Sequence, residues 1–214
     1  MNRRNWLLRT AALLVAPCRA AGAGSREAWQ SLFDGATLGR WEQTSFGGEG
    51  PVRVRDGAIV LEFGDPLTGI TWTGDLPRTN YEIALEAARL AGSDFFCGLT
   101  FPVGPGACSL IVGGWGGTTV GLSTIDGMDA SQNETTLDLR FEDDRWYAVR
   151  LRVAPDRIAA WIDEEPVVDV AIEGRRIGIR PEVDPSRPLG VAAYRTRAAL
   201  RAIRLRALTP EGLR

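Results

Sequence analysis

Apolar and polar residues alternate along most of this chain, and turn-forming residues break the alternation at short intervals. That period of two is the mark of β-strands with one face buried. Val52 to Arg55, then Asp56-Gly57, then residues 58–63 read as a hairpin closed by a favoured two-residue turn. Leu137, Leu139 and Phe141 alternate with Asp138 and Arg140, and Tyr147, Val149, Leu151 and Val153 alternate with Ala148, Arg150 and Arg152. Ile158, Ala160 and Ile162 lead into a turn at 163–166, and Val168, Val170 and Ile172 follow it. The chain closes with Val191 and Ala193, then Ile203, Leu205 and Ala207 set against Arg204 and Arg206. Arginines in these outward positions predict a solvated sheet face.

One segment fits two periods. Residues 81–90, YEIALEAARL, place Tyr81, Leu85 and Ala88 on one helical face, yet also alternate as Tyr81, Ile83, Leu85 and Ala87 against Glu82 and Glu86. Strand-like neighbours on both sides favour a strand, with Glu82 and Glu86 on a solvated face. A longer loop at 174–188 is stiffened by Pro181, Pro185 and Pro188. About a dozen short strands around one core predict an all-β fold, a two-sheet antiparallel sandwich.

Composition narrows the chemistry. The 214 residues suit one domain, and the net charge of −2 gives no pull toward nucleic acid or an anionic membrane. Histidine and lysine are both absent. That removes Ser-His-Asp and Cys-His triads, His-ligated zinc, Schiff-base lysines and lysine-bearing phosphate loops. Catalysis would have to come from carboxylates, hydroxyls, arginine, thiols or an oxygen-held metal. The sequence requires no cofactor; calcium is the metal that such oxygen ligands would suit, and no ligand set is defined.

Residues 1–23 read as an export signal. Arg3 and Arg4 precede Asn5, Trp6, Leu7 and Leu8, close to the twin-arginine pattern, and the apolar stretch at 11–16 is too short to span a bilayer. Ala21 and Ala23 supply a small-x-small cleavage site, and Pro17 argues against lipid attachment at Cys18. The expected mature protein, residues 24–214, is a single periplasmic or secreted domain. Its two cysteines flank a hairpin centred near Pro105, which sets Cys108 opposite Phe101 or Pro102 and several residues from Cys97. At about 3.3 Å per residue the gap exceeds a disulfide's reach, so two buried free thiols are expected.

Residues 113–136, GGWGGTTVGLSTIDGMDASQNETT, stand apart from this pattern. The stretch has no arginine, six glycines around Trp115, and three acids: Asp126, Asp129 and Glu134. Such a segment buries little apolar surface, and loops of this kind on a rigid scaffold are where function concentrates. The spacing of Asp126 and Asp129 does not match an EF-hand loop, and GGWGGTT lacks the lysine of a phosphate loop.

Trp29, Leu32-Phe33-Asp34-Gly35, Leu38 and Trp41 form W-x-x-L-F-D-G-x-x-L-x-x-W. This opening resembles that of the 3-keto-disaccharide hydrolase-like family. The likeness continues through Val54 to Ile59, Tyr81-Glu82-Ile83, Gly98-Leu99, Trp146-Tyr147, Trp161-Ile162-Asp163 and Ile203-Arg204-Leu205. The resemblance implies a concanavalin A-like jelly roll and a secreted protein acting on carbohydrate, with some relatives cleaving glycosides oxidised at the third carbon. A keto group there acidifies the neighbouring C–H, so a carboxylate base could promote loss of the glycosidic oxygen before water adds. A conventional glycosidase would instead use two carboxylates at about 5–9.5 Å. Family members usually carry an arginine and a glutamate on two adjacent strands; the corresponding places here are Thr100-Phe101 and residues 108–112, which hold neither.

Within that resemblance Asp126, Asp129 and Glu134 are the leading catalytic candidates and Asp94 follows them. Trp115, Asn133, Thr124 and Trp72 are the candidate sugar contacts. Each has a structural alternative: Trp115 as a rim residue plugging the core, and the Asp and Asn residues as turn caps. The expected partner is a carbohydrate, with no nucleic acid and no membrane span. The function expected is a hydrolase or lyase of 3-keto-type glycosides, against a non-catalytic glycan-binding module or an envelope interaction domain.

Overall fold

A computed structural model describes residues 28–209. The export signal read over residues 1–23, with Cys18, lies outside the described residues. Among the described residues, fifteen strands form two antiparallel sheets packed face to face, with one short 3-10 helix, Pro181–Ser186. In chain order the strands of the eight-stranded sheet are β1 (Gln30–Ser31), β3 (Val52–Arg55), β4 (Ala58–Leu61), β6 (Tyr81–Gly92), β11 (Trp146–Val153), β12 (Arg157–Ile162), β13 (Glu165–Ala171) and β15 (Thr196–Ala207). The seven-stranded sheet comprises β2 (Trp41–Gln43), β5 (Leu67–Trp72), β7 (Cys97–Val103), β8 (Gly106–Gly114), β9 (Thr119–Ser123), β10 (Leu137–Asp138) and β14 (Gly190–Tyr194). Its order, β10-β9-β8-β7-β14-β5-β2, decides which side chains share its outer face.

The two hairpins read from the alternation form at Asp56-Gly57 and Asp163-Glu164. Residues 81–92 are a strand between β11 and β15, because its partners complete two ladders that no local helix propensity can match. Ile83, Leu85 and Ala87 point inward with Tyr147, Val149 and Leu151, against Leu99, Phe101, Leu110, Val112, Val120 and Leu122 of the other sheet. Cys108 pairs with Phe101 across the hairpin, and both Cys97 and Cys108 are buried free thiols. Burial pushes each thiol up to about 12.

Two expectations change. The strand expected over 137–141 stops at Asp138. The Phe141 carbonyl instead accepts a 2.6 Å bond from Arg89 Nη2, and its ring packs edge-on against Phe96 and Tyr147. The arginine face is also less solvated than its pattern predicts. Glu82 has no exposed side-chain surface; it accepts bonds from Arg150 (3.3 Å), Arg152 (2.8 Å) and Arg206 (2.7 Å). Arg150 lies over the Trp161 ring at 3.9 Å and Arg206 over Trp29 at 4.7 Å, so stacked guanidinium groups seal the carboxylate. Burial alone would raise the Glu82 carboxyl, but the Arg152 and Arg206 bonds hold it below its usual value.

A buried carboxylate shared by three cations is costly to break from one side. Glu82→Gln should destabilise the fold by about 3 kcal/mol in urea unfolding. The wild-type advantage should be complete above the unfolded glutamate value of about 4.3 and vanish as pH falls through the lower folded value. A loss under about 1 kcal/mol would place Glu82 among ordinary surface pairs.

Candidate functional site

The outer face of the seven-stranded sheet carries a cleft of about 270 Å³. Ser109 and Ile111 of β8 and Ser123 of β9 line it from the sheet. Thr100, Ser109 and Ser123 are register partners across β7, β8 and β9, and Thr100 Oγ1 and Ser109 Oγ share a 2.9 Å hydrogen bond. Ser123 Oγ is buried and finds no hydrogen-bond partner among the described residues. On the far side Gly98 leaves room for Phe95: a Cβ on Gly98 would meet that ring at 2.8 Å. Phe95 and Tyr194 stand 5.7 Å apart and, with Leu67, form an apolar wall.

Asp94 and Trp115 border the same cleft. Asp94 Oδ1 accepts the Phe95 N–H at 2.8 Å. Trp115 sits in the tight turn between β8 and β9, is 42% exposed, and adopts φ 47°. A bulky residue in the left-handed region is strained by about 1–2 kcal/mol, and glycine, as at its neighbours Gly116 and Gly117, would relieve it. The turn is held from behind by Gly114, whose carbonyl accepts from Gly117 N and Thr118 N at 3.1 and 3.2 Å.

The loop that borders the cleft with Arg180, Glu182 and Val183 is gripped by a second loop beside it. Thr124 and Gly178 exchange backbone bonds of 2.6 and 3.0 Å, and Asp126 N donates to Arg176 O at 2.8 Å. Arg175 donates through Nε to Asp126 Oδ2 (2.7 Å) and through Nη1 to Glu134 Oε1 (2.6 Å). Arg180 donates through Nη1 to Asp129 Oδ2 and through Nη2 to Glu182 Oε1, both at 2.8 Å. The Arg176 backbone N–H, then Arg175, lower the Asp126 carboxyl; Arg175 lowers Glu134, and Arg180 lowers Glu182. All three therefore hold their charge to a lower pH than a free carboxylate does. The grip carries Arg180, Glu182 and Val183 onto the cleft.

The structure sorts the candidate residues into three groups. Trp115 and Asp94 line the cleft. Thr124 and Asp129 line a second cavity of about 510 Å³, together with Gly127, Ile179 and Pro181; Arg180 and Glu182 border both. The remaining four line neither. Asp126 and Glu134 hold Arg175, so their carboxylates grip a loop and do not face the cleft. Asn133 is buried and fully engaged: its two Nδ2 hydrogens are shared among Leu122 O, Met128 O and Asp129 O, and its Oδ1 accepts from Thr135. Trp72 packs in the core against Trp41 at 5.2 Å. Among the described residues, no group of three or more Asp, Glu, Cys or His is placed to hold a metal ion. Sequence reasoning missed Phe95, Ser109, Ser123, Arg180, Glu182 and Tyr194. The one available signal was charge: Arg175, Arg176 and Arg180 fall together in a proline-stiffened loop, opposite an acidic stretch that has no arginine.

The sequence model of the 3-keto-α-glucoside-1,2-lyase-like domain matches residues 28–206. The chain belongs to this family. As a member of the 3-keto-α-glucoside-1,2-lyase-like family it shares its fold with solved structures of low identity. A Bacillus subtilis protein of unknown function with a galectin-like fold is 12% identical, with a TM-score of 0.59 over 86% of this chain and 96% of that one. The Crh5 transglycosylase is 13% identical, with a TM-score of 0.58 over 88% and 87%. The carbohydrate-binding module CBM66 of Bacillus subtilis is 10% identical, with a TM-score of 0.54 over 78% and 96%. At these identities the likeness establishes the galectin-like, concanavalin-like sandwich. No curated protein matches the sequence. No helix among the described residues is long and apolar enough to cross a membrane.

Because Asp126 and Glu134 have lowered values, their hold on Arg175 should be complete above the unfolded Asp and Glu values of about 4 and be lost as pH falls through the lower folded values, opening the loops there. Amide exchange at 175–180 should report this, with Arg175→Ala exchanging fast already at pH 7. Unchanged exchange in Arg175→Ala would show that backbone bonds alone hold the loops together.

Proposed function

We propose that this protein binds a glycoside in the cleft and cleaves it, acting on sugars oxidised at the third carbon. The observation that carries the reading is the meeting of Trp115 with two carboxylates, Asp94 and Glu182, in one cleft. An exposed indole offers a flat face to the C–H side of a sugar ring, and the Phe95-Tyr194 wall offers a second apolar surface. The floor hydroxyls of Ser109 and Ser123 suit a ligand rich in hydroxyl groups.

In a 3-keto-glycoside the carbonyl acidifies the hydrogen on carbon two. A carboxylate removes that proton, and the C–H electron pair forms a double bond to carbon one. The glycosidic oxygen then leaves carbon one with its bonding pair and takes up a proton; water added across the double bond completes hydrolysis. Glu182, kept ionised by Arg180, fits the role of base, and Asp94 that of the group exchanging a proton with the leaving oxygen. Asp129 holds Arg180 from its other side and acts through it. The family match and the sugar-related neighbours support this reading. A periplasmic or secreted location, from the twin-arginine-like residues 1–23, belongs to the same proposal.

A second reading is a glycan-binding module without chemistry. It is favoured by the ties of Glu182 to Arg180 and by the uncharged Thr100–Ser109 pair on the strands where relatives carry charge. Incubation with 3-keto-glucosides and with unoxidised disaccharides separates the two. Release of sugar from the 3-keto substrates alone, reduced by about 10²–10⁴-fold in Glu182→Gln, supports the enzyme. Retained binding with no turnover supports the module.

Two further outcomes follow from the geometry. In Arg180→Ala, Glu182 loses the partner that lowers its value, so the acid limb of the activity profile should move to higher pH. Trp115→Gly should weaken sugar binding by about tenfold while leaving stability within about 1 kcal/mol, since relief of strain offsets the added chain freedom. Weakened folding with unchanged binding would make Trp115 a packing residue.

A further inference from the structure

Trp29, Trp146 and Trp161 are half-buried, and each carries a stacked guanidinium: Arg204 and Arg206 on Trp29, Arg201 on Trp146, and Arg150 on Trp161. Trp115 is the one exposed indole among the described residues, and no side-chain cation there stacks on it. Asp94 stands against the same turn: a Cβ on Gly114 would lie 3.9 Å from Asp94 Oδ1. That oxygen accepts the Phe95 N–H, Asp94 Oδ2 accepts no bond, and no arginine among the described residues pairs with the carboxylate. Glu182, the other acid of the cleft, is bonded to Arg180. Two acids therefore face the cleft against one base, and the uncompensated charge lies at the aromatic end. We infer that this end of the cleft takes a protonated amine carried on the leaving half of the glycoside. The inference rests on the sugar reading of the cleft, and the leaving half follows from the place of Asp94 beside the leaving oxygen.

The chemistry of the two groups sets the class of cation. An indole face attracts positive charge more strongly than the other aromatic rings do, and a carboxylate oxygen with free lone pairs accepts N–H. Side by side they act on the same charge. Phe95 and Tyr194 extend the apolar surface around it. Arg195 lies over the Tyr194 ring at 5.6 Å and makes no ion pair with Asp94, so it leaves the carboxylate uncompensated. A calcium ion takes six to eight oxygen ligands, whereas here one carboxylate stands among rings. An alkylammonium needs fewer acceptors and gains from the rings. A carboxylate or phosphate on the ligand would instead meet the Asp94 charge with no nearby cation to offset it.

The test uses the full chain and calorimetric titration with three sulfur-linked 3-keto-glucosides, whose linkage slows cleavage. They differ only at the end of a short alkyl leaving group, which bears a protonated amine, a hydroxyl or a carboxylate. The amine should bind about tenfold more tightly than the hydroxyl, the yield of one ion pair and one cation–π contact, and the carboxylate should bind most weakly. Raising salt from about 0.05 M to about 0.5 M should cut the advantage of the amine severalfold and leave the hydroxyl ligand unaffected. In Asp94→Asn the ratio of amine to hydroxyl affinity should fall to about one, and in Trp115→Gly to about three. Each ratio compares two ligands on one protein, so a partly unfolded variant does not shift it. Equal affinities for amine and hydroxyl in the wild type overturn the inference and leave the sugar reading standing, as does an advantage that persists in Asp94→Asn. Wild-type protein that binds none of the three ligands overturns the sugar reading itself.

Discussion

The site depends on the grip between two loops, in which Arg175 joins Asp126 to Glu134 and Arg180 joins Asp129 to Glu182. Without it the cleft would keep Trp115 and the Phe95–Tyr194 wall but lose its border of Arg180, Glu182 and Val183. Most of these groups are partly exposed, so each pair adds little to stability on its own. Their effect is geometric. Together with the Thr124–Gly178 and Asp126–Arg176 backbone bonds, they fix where the 3-10 helix begins, and so where Arg180 and Glu182 meet the cleft.

The floor answers to the same constraint from below. Ser109, Ile111 and Ser123 face the cleft, while the neighbouring Leu110 and Leu122 fill the core. Strand alternation thus separates the two tasks along single segments. The opposite sheet manages its outer face differently, with arginines stacked on Trp29 and Trp161 above the buried Glu82. One face is built open and the other sealed. Trp115 is a strained point on the open face, a partly exposed aromatic at φ 47°.

Most of the fold was legible because its information is local. Alternation gave the strands, and Asp56-Gly57 and Asp163 marked the hairpins. The segment 81–92 was ambiguous locally and was decided by its two neighbours. Leu139 and Phe141 misled because Arg89, which lies 52 positions from Phe141, captures the carbonyl. The site was less legible for the same reason. Trp115 was visible through its glycine setting, but Asp126 was read without Arg175, a partner 49 positions away. A carboxylate whose partner is unseen looks free for chemistry. Ser109, Ser123, Phe95 and Tyr194 meet only through the order β9-β8-β7-β14, which no short pattern encodes.

The central claim is that the cleft on the seven-stranded sheet is where a sugar binds. Hydrogen exchange with and without a saturating 3-keto-glycoside tests it most directly. The account predicts ligand-induced protection at residues 94–96, at 114–117 and at 179–183, with the outer face of the eight-stranded sheet unchanged. Protection confined to that arginine-rich face, around Trp161 and Arg204, would contradict it.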